Sequence, residues 1–432
     1  MSRKNKPQTA DTLPRLKPQG NATIRIPGSK SLTARAMVLG ALAAGQTVLR
    51  GALRCDDTLA LAGSLRELGL GVEWTDQFVR LHGVAGQLPR GGSVYVGAGG
   101  TPARFMMAAA CLAGGTVTVD GDTRMRQRPV AELASLLRTL GASCDGESLP
   151  ITIDGKAIHG GDLTVEATRS SQTISALLLI APWLTGGLSL TCSLPITSAS
   201  YVDLTLSLLR TFGVSLEDQL DESTRRIAIP QSTVRGREID IEPDASSAIY
   251  FAAIAAMHPG LTITVPGLSL DSPQPDVAAI KVLARSGAVV ESSGEGIRIT
   301  GSTAMSGLGD LDASGFPDAA LCLAAVAAAG DSPSRIYGLG TLPHKESSRI
   351  EVMGTALAHA GCGIVAGVDE LRIGPMATRD GVVVVDPAGD HRIAMAMAVL
   401  GTHRGGIAIA DRACVAKSYP GFWNDLQRLY EA

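Results

Sequence analysis

The sequence predicts an α/β protein of two domains, because one structural unit recurs six times along the chain. In each copy a polar cluster opens an alanine-rich apolar helix, and a glycine-containing break separates that helix from a β-like run. The copies follow one another at steps of 70, 70, 74, 72 and 74 residues, anchored at Ser31, Thr101, Ser171, Ala245, Pro317 and His391. This period exceeds that of common solenoid repeats, so each unit is long enough to be a small subdomain.

The first copy shows how the elements are recognised. Ile26–Gly45 predicts the end of a strand, a Pro-Gly turn and a helix for which Ser29 or Ser31 is the N-cap. Thr47–Leu53 is a strand candidate, and Asp56–Leu68 has the apolar spacing of an amphipathic helix. Gly69 ends that helix, and short strands with turn signals follow.

The later copies repeat this order of strand and helix. The predicted pairs are Val117–Asp120 with Pro129–Leu140, Leu188–Thr191 with Tyr201–Phe212, Leu261–Val265 with Asp276–Arg285, Ser334–Tyr337 with Ser347–Ala360, and Ile407–Ala410 with Pro420–Tyr430. The sixth copy has no room for closing strands before the sequence stops. We therefore expect an opening strand at Thr23–Ile26 to supply part of them, which pairs it with the last three repeats.

Three repeats make a natural domain on either side of Asp240–Asp244. We expect the first domain to span residues 28–242 and the second to join residues 21–27 to residues 243–432. Residues 1–20 are polar and basic without an apolar core, so we expect a flexible tail and not a secretory signal.

Composition excludes several classes of protein. A net charge of −3 and 3% aromatic residues argue against a nucleic-acid-binding protein. The seven cysteines are scattered without a C-x-x-C pair, which is typical of buried thiols in a reduced, cytoplasmic protein. Histidines with metal-ligand spacing are absent, and no apolar run is long enough to cross a membrane. We expect neither a nucleic-acid nor a membrane partner, and a monomer.

Basic residues at the helix starts suggest an anionic ligand. Lys30 opens the first helix and Arg35 lies one turn further on, although a helix N-terminus disfavours cations. A phosphate or carboxylate bound there would explain both, and two solvated surface side chains are the alternative. The loop is not a nucleotide-binding Walker A motif, because Ser29 stands where that motif needs glycine.

Basic residues recur near the later repeat junctions, where they indicate a small polyanionic substrate. The set comprises Lys30, Arg35, Arg104, Arg124, Arg126, Arg128, Lys345, Arg349, Arg392 and Lys417. Two acids in the fifth repeat, Asp318 and Glu346, are candidates for paired proton transfer. The alternatives are a helix cap for Asp318 and a surface ion pair on one helical face for Glu346. His391 either orients a ligand or caps a helix.

Nine motifs in order resemble the EPSP synthase family (3-phosphoshikimate 1-carboxyvinyltransferase). They are PGSKSLTAR, GGTPAR, RMRQRP, SSQ, EPDASSA, PDAA, KESSR, DHRIAMA and KSYPGF, and the match runs from about Asn21 to the C-terminus. The resemblance implies two domains, each of three βαβαββ units in an inside-out α/β barrel arrangement, with the active site in the interdomain cleft. It also implies transfer of the enolpyruvyl group of phosphoenolpyruvate to the 5-hydroxyl of shikimate 3-phosphate. Phosphate is released in this step of aromatic amino acid biosynthesis, and neither a metal nor an organic cofactor is implied.

The resemblance assigns roles to individual residues. Shikimate-side contacts are Lys30, Ser31, Arg35, Ser170, Ser171, Gln172, Ser198 and Tyr201, and Lys30 also reaches phosphoenolpyruvate. The phosphoenolpyruvate cradle is Gly100, Arg128, Arg349, Arg392 and Lys417. Asp318 is the implied base for the 5-hydroxyl, Lys345 binds substrate beside it, and Glu346 is the proton shuttle. Arg124 matches a loop position at the cleft.

The chain departs from the family pattern at Ala98, Thr341 and Ser348, which replace two asparagines and an acid. These changes leave a related phosphorylated ring as an alternative acceptor. The sister transferase that acts on UDP-N-acetylglucosamine is a second alternative, but Ser31 and the cysteine-free loop Gly121–Pro129 favour the shikimate assignment. A non-catalytic binding protein and an RNA 3′-end-processing enzyme are disfavoured, because both acids are present and the net charge is negative.

Overall fold

The computed structural model describes residues 12–17, 20–166, 170–377 and 381–431. The chain divides into two compact units. We call Gly28–Glu242 the continuous unit, and Met1–Pro27 together with Pro243–Ala432 the discontinuous unit. Each unit has its own cluster of buried apolar side chains. Within the described ranges, every helix is too short or too polar to cross a lipid bilayer.

Two short strands precede the elements of the continuous unit in the sequence. The opening strands are β1 (Thr12–Leu13) and β2 (Gly20–Thr23). The continuous unit contains α1 (Lys30–Leu42), β3 (Ala44–Arg50), α2 (Asp56–Glu67), β4 (Gly71–Trp74), β5 (Phe78–Val84), β6 (Gly92–Tyr95), α3 (Gly100–Ala110), β7 (Val117–Asp120), α4 (Thr123–Arg126), α5 (Ala131–Thr139), β8 (Ser143–Asp145), β9 (Ile151–Asp154), β10 (Gly161–Val165), α6 (Ser171–Ile180), β11 (Leu188–Ser193), α7 (Ser200–Thr211), β12 (Glu217–Leu220), β13 (Thr224–Ile229) and β14 (Glu238–Asp240).

Three four-stranded sheets of one topology form the continuous unit. Their strand orders are β14-β3-β5-β4, β6-β7-β9-β8 and β10-β11-β13-β12. In each sheet the first pair is parallel and the other two pairs are antiparallel. The last strand of the unit, β14, therefore completes the sheet of its first repeat. The sheets confirm three copies of one α/β unit.

The discontinuous unit repeats this plan with the rest of the chain. Its further elements are α8 (Ala245–Met257), β15 (Leu261–Pro266), α9 (Asp276–Val282), β16 (Val289–Ser292), β17 (Gly296–Thr300), β18 (Gly309–Asp312), α10 (Ala320–Ala329), β19 (Ser334–Tyr337), α11 (Arg349–Ala360), β20 (Cys362–Ala366), β21 (Glu370–Met376), β22 (Val383–Val385), α12 (His391–Arg404), β23 (Ile407–Ile409) and α13 (Phe422–Glu431). Its sheets have the orders β16-β17-β15-β2, β18-β19-β21-β20 and β1-β23-β22.

The opening strands belong to the discontinuous unit. β2 pairs in parallel with β15, and β1 pairs antiparallel with β23 in the sheet of the sixth repeat. The expected pairing with the last three repeats is confirmed, but the strand lies at Gly20–Thr23 and not at Thr23–Ile26. It completes the sheet of the fourth repeat, and β1 joins the sixth repeat, for which the opening strand was expected. The flexible-tail prediction is wrong for residues 12–17, because Leu13 and Leu16 are buried in the core, and for Gly20, which lies in strand β2. Residues 1–11 and 18–19 of that prediction lie outside the described residues.

The repeated alanine-rich helices form the centre of each unit. In α8, α10 and α12 almost every residue is buried on all sides, as expected of a helix surrounded by other elements. Small side chains allow these helices to pack closely, and α10 packs against both α8 and α12. The polar residues at their starts are thereby held on a rigid core.

The bounds of several helices differ from the predicted ones, in one case because a polar residue has a second role. The helix predicted from Ser347 begins at Arg349, because the Ser347 hydroxyl bonds to Asp390 and Ser348 has a non-helical ψ of 77°. The helix predicted from Pro129 begins at Ala131. The helix predicted to Arg285 ends at Val282 and continues as a 3₁₀ turn, Leu283–Ser286.

Candidate active site

In the continuous unit, the start of α1 places a lysine beside a buried carboxylate. Ser29 is the N-cap, and its Oγ accepts a hydrogen bond from the Leu32 amide. Lys30 Nζ lies 2.9 Å from Asp57 Oδ2, with only 17% and 8% of the two side chains exposed. Asp57 thus fixes the direction of the lysine at the helix start. Sequence reasoning missed Asp57, since an acid in the first turn of α2 is indistinguishable from an ordinary helix-start residue.

Arg35 lies one turn further along α1 and is buried. Its Nε donates to Thr205 Oγ1 at 2.8 Å, Nη1 donates to the Ser31 carbonyl at 3.0 Å, and Nη2 donates to Ser175 Oγ at 3.3 Å. Burial lowers the pKa of Arg35 to about 10, so it remains charged at neutral pH. All of these acceptors are uncharged. They therefore hold the guanidinium in place without neutralising its positive charge.

The predicted shikimate-side residues gather around these cations. Ser170 caps α6, where its Oγ accepts from the Gln172 amide, and Ser171 is buried in the first turn. The Tyr201 carbonyl at the start of α7 accepts from Arg35 at 3.3 Å. Ser198, three residues earlier, has a positive φ of 53°, which is uncommon for a residue with a side chain. Helices α6 and α7 both pack against α1, so this predicted group is brought together.

The start of α3 holds the other predicted group of this unit. Gly100 is in direct contact with Arg128, because a Cβ on Gly100 would lie 2.5 Å from Arg128 Nη2. Arg128 Nη1 donates to the Ala98 carbonyl at 3.4 Å. Ala98 has no polar side chain, but its backbone carbonyl thus gives Arg128 a polar partner. Arg124 lies in the short helix α4, and its neighbour Arg126 forms an ion pair with Asp120 at 2.6 Å.

In the discontinuous unit, Arg349 joins three carboxylates. Its Nε lies 2.7 Å from Asp390 Oδ2, its Nη1 2.8 Å from Asp318 Oδ1, and its Nη2 2.8 Å from Glu346 Oε2. Only 1% of the Arg349 side chain is exposed. Burial alone would lower its pKa, but the charges of Asp390, Glu346 and Asp318 raise that pKa above its ordinary value. We call these four residues the arginine hub.

Three further cations surround the hub. Lys345 Nζ and Arg392 Nη2 lie 3.6 and 3.2 Å from Asp318, and Lys417 Nζ lies 3.8 Å from Glu346. Burial would raise the pKa of Asp318, but the charges of Arg392, Lys345 and Arg349 outweigh it and hold the pKa far below its usual value. The structure therefore brings together all six predicted residues of this unit, with Asp318 ionised.

Three structural alternatives to a functional assignment do not hold. Helix α10 begins at Ala320 without a side-chain cap, and the Asp318 carboxylate bonds to cations instead. Glu346 does form the ion pair with Arg349, but this pair is not on the surface, because only 1% of the arginine and 15% of the glutamate side chain are exposed. Lys345 and Glu346 precede helix α11, which begins at Arg349. The cap of α12 is Asp390, whose Oδ1 accepts from the Arg392 amide, and not His391.

Asp390 and Asp276 are buried acids that sequence reasoning did not identify as part of this site. Asp390 is fully buried and also accepts from Ser347 Oγ at 3.1 Å. Asp276 is 1% exposed at the start of α9, and its Oδ2 accepts from Ser246 Oγ. Burial, helped by the charges of Asp318 and Asp244 and opposed by that of Arg392, raises the pKa of Asp276 to about 7. In the sequence both resemble ordinary helix-start acids.

Asp276 is expected to make the stability of the protein fall as pH rises from about 4 to 7. The unfolded carboxyl loses its proton near pH 4, whereas the folded one keeps it to about pH 7, so the folded state binds more protons between these values. The contribution lost is on the order of 2–4 kcal/mol. Asp276→Asn is expected to flatten the pH profile of urea unfolding, and the exposed control Asp331→Asn to keep it. Equal slopes in all three proteins would contradict this assignment.

The two clusters suit the chemistry of anions. The continuous unit presents Lys30, Arg35 and Arg128 near helix starts, where backbone amides also favour anions. The discontinuous unit presents arginines and lysines around two carboxylates, an arrangement that can bind anions and move protons.

Comparisons with known proteins agree with this chemistry. A model of the EPSP synthase (3-phosphoshikimate 1-carboxyvinyltransferase) family matches residues 17–426. The chain is 37% identical over 412 residues to the 3-phosphoshikimate 1-carboxyvinyltransferase of Methanoculleus marisnigri, covering 94% of this chain and 96% of that protein. It is 38% identical over 414 residues to that of Methanosphaerula palustris, covering 93% and 95%.

Solved structures are similar over nearly the whole chain. The EPSP synthase of Acinetobacter baumannii superposes with a TM-score of 0.79 at 25% identity, covering 97% of each chain. The enolpyruvyl transferase NikO of Streptomyces tendae superposes with a TM-score of 0.74 at 17% identity, covering 96% of each chain, and supports the fold alone.

Proposed function

The chain belongs to the EPSP synthase (3-phosphoshikimate 1-carboxyvinyltransferase) family, and from this premise we propose how its residues carry out the reaction of that family. The reaction transfers the enolpyruvyl group of phosphoenolpyruvate to the 5-hydroxyl of shikimate 3-phosphate and releases phosphate. The arginine hub carries the proposal, because it holds two acids of suitable chemistry among cations that suit an anionic substrate.

Shikimate 3-phosphate is proposed to bind the continuous unit. The 3-phosphate is a dianion, and the start of α1 offers it Lys30, the Ser31 hydroxyl and the buried charge of Arg35. Ser170, Ser171, Gln172, Ser198 and Tyr201 provide hydroxyl and amide groups for the ring hydroxyls and the carboxylate. Because Arg35 is already ordered by four hydrogen bonds, little side-chain entropy is lost when the phosphate binds.

Six residues are proposed to bind phosphoenolpyruvate. Lys30, Gly100 and Arg128 are the contacts from the continuous unit, and Arg349, Arg392 and Lys417 are those from the discontinuous unit. Arginine suits this substrate, because its planar fork binds a carboxylate or phosphate through two hydrogen bonds. Gly100 permits a close approach that a side chain would block.

Two carboxylates are proposed to move the protons. Asp318 accepts the proton of the attacking 5-hydroxyl, beside Lys345, while Glu346 delivers a proton to the methylene carbon of phosphoenolpyruvate and later removes one. The surrounding cations hold the pKa of Asp318 low, which makes it a weak base. A bound dianion shares those cations, so its binding raises the pKa of Asp318 toward the value that a base needs.

The decisive test is phosphate release from phosphoenolpyruvate by the purified protein, with mass analysis of the product. We expect release only when shikimate 3-phosphate is also present, together with formation of the enolpyruvyl ether. UDP-N-acetylglucosamine is the control acceptor and is expected to give no release. Release with that acceptor, or with phosphoenolpyruvate alone, would refute the proposed reaction.

Gly100→Ala is expected to raise the KM for phosphoenolpyruvate about tenfold, because the methyl group would displace Arg128 and weaken one charge-assisted contact. The KM for shikimate 3-phosphate is expected to change little. Gly63→Ala is the matched control, since a Cβ on this helical glycine meets no atom within 4 Å. An unchanged KM for phosphoenolpyruvate in the Gly100 variant would show that Arg128 does not bind this substrate.

Compartment and assembly complete the proposal. We propose a cytoplasmic protein, on the basis of its buried free thiols and its place in small-molecule biosynthesis. We also propose that it works as a monomer. Sedimentation of the purified protein at the mass of two chains, under assay conditions, would contradict the proposal that it works as a monomer.

A further inference from the structure

Arg104 is a buried arginine that the proposed mechanism does not use. It lies in α3, one turn after Gly100, and only 4% of it is exposed. Burial and, to a smaller extent, the nearby charge of Arg128 lower its pKa to about 9, although the charge of Glu132 opposes them. A buried cation next to another cation is costly, so its retention needs a specific reason.

The contacts of Arg104 join three separate segments of the continuous unit. Nη1 donates to the Gly100 carbonyl at 3.1 Å and to Gln172 Oε1 at 3.0 Å. Nη2 donates to the Pro129 carbonyl, the residue directly after Arg128. One rigid guanidinium therefore touches the start of α3, the start of α6 and the loop that carries Arg128.

Each of these segments belongs to a proposed substrate contact. Gln172 is on the shikimate side, whereas Gly100 and Arg128 are on the phosphoenolpyruvate side. Gln172 is held on its other side as well, because its Nε2 donates to Thr101 Oγ1 at 3.2 Å. With its oxygen on Arg104 and its nitrogen on Thr101, the amide of Gln172 has a fixed orientation.

We propose that Arg104 is a positioning residue that couples the two substrate subsites of the continuous unit. This inference rests on the proposed function. A ligand that draws Gln172 toward itself also moves or stiffens Arg104, and through it the Gly100 carbonyl and the loop of Arg128. Coupling through one shared group is reciprocal, so each substrate changes the affinity for the other by the same factor.

Lysine keeps the charge at this position but lacks the planar fork that reaches three oxygens. In Arg104→Lys we expect the KM of both substrates to rise about tenfold. We also expect the KM for phosphoenolpyruvate to stop depending on the concentration of shikimate 3-phosphate. The readouts are initial rates of phosphate release over a grid of both substrates, and the unfolding midpoint of each protein.

Two further variants separate coupling from simple packing. Thr101→Val removes only the second partner of Gln172, so we expect it to raise the KM for shikimate 3-phosphate alone. Arg138→Lys is the matched control, because Arg138 also bonds to backbone carbonyls, those of Cys144 and Gly146, away from the proposed contacts. It is expected to leave both KM values unchanged.

The outcomes distinguish the inference from the proposed function. Turnover by the wild-type protein, with a rise of both KM values in Arg104→Lys and a KM for phosphoenolpyruvate that no longer depends on shikimate 3-phosphate, supports the inference, whereas a dependence that persists overturns it. Turnover with a rise of only one KM, or with a lower unfolding midpoint alone, overturns it and leaves the proposed function intact. Failure of both Arg104→Lys and Arg104→Gln to fold would make Arg104 a core residue and also overturn it. Absence of turnover in the wild type overturns both.

Discussion

Glu346→Gln is expected to lower kcat by about 10²–10⁴-fold while the protein keeps its fold. The glutamine side chain has the same shape and can still accept the hydrogen bond that Arg349 donates to Glu346 at 2.8 Å. It cannot deliver or remove a proton, so the loss appears in kcat and much less in the KM values. Rates of phosphate release at saturating substrates, together with the unfolding midpoint, measure both effects.

The matched control for this prediction is Glu370→Gln. Glu370 also pairs with two arginines of the same unit, Arg335 and Arg372, both at 2.7 Å, but it lies on strand β21 outside the hub. We expect its kcat to stay within about twofold of the wild type, since surface ion pairs contribute little. A Glu346 variant that also retained wild-type kcat would exclude Glu346 as the proton shuttle.

Arg349→Met is expected to have the largest effect on stability, about 3–5 kcal/mol, because it leaves the fully buried Asp390 without its cation. Activity is expected to fall with it, since Asp318 and Glu346 lose the group that orders them. Urea unfolding followed by circular dichroism measures the first effect, and phosphate release measures the second.

Two comparisons make the Arg349 prediction specific. Arg335→Met breaks an ion pair in which 39% of the arginine side chain is exposed, so it is expected to lower stability far less than Arg349→Met does. Combining Arg349→Met with Asp390→Asn removes both buried charges and is expected to recover part of the stability but none of the activity. If the double variant were no more stable than Arg349→Met alone, the buried charge of Asp390 would not be the cause of the lost stability.

The repeats were predictable because their signal is local. Each central helix begins with a polar cluster and continues as a small apolar run, and α6, α8 and α12 begin at the predicted residues Ser171, Ala245 and His391. Lys30 and Arg392 were predictable for the same reason, since they stand at the starts of α1 and α12. The two-residue strand β1 was missed, because so short a segment has no periodicity of its own.

The buried acids were not predictable, because their partners are distant in sequence. Asp57 meets Lys30 across 27 residues, and Asp390 meets Arg349 across 41. A single aspartate at a helix start has the same appearance whether it caps the helix, faces water or neutralises a buried cation. Only the packing of one repeat on the next distinguishes these cases.

The opening strands have a consequence for synthesis on the ribosome. Thr12 pairs with Ala408, so β1 cannot pair until β23 has been synthesised. The continuous unit, in contrast, contains the partners of each of its described strands and can fold while the rest is still being translated. We expect the slow, late step of folding to be the closure of the discontinuous unit around its N-terminal segment, since contacts between distant residues form slowly. A nascent chain released before residue 407 would expose the apolar side chains of Leu13 and Leu16 and would be a preferred target of chaperones.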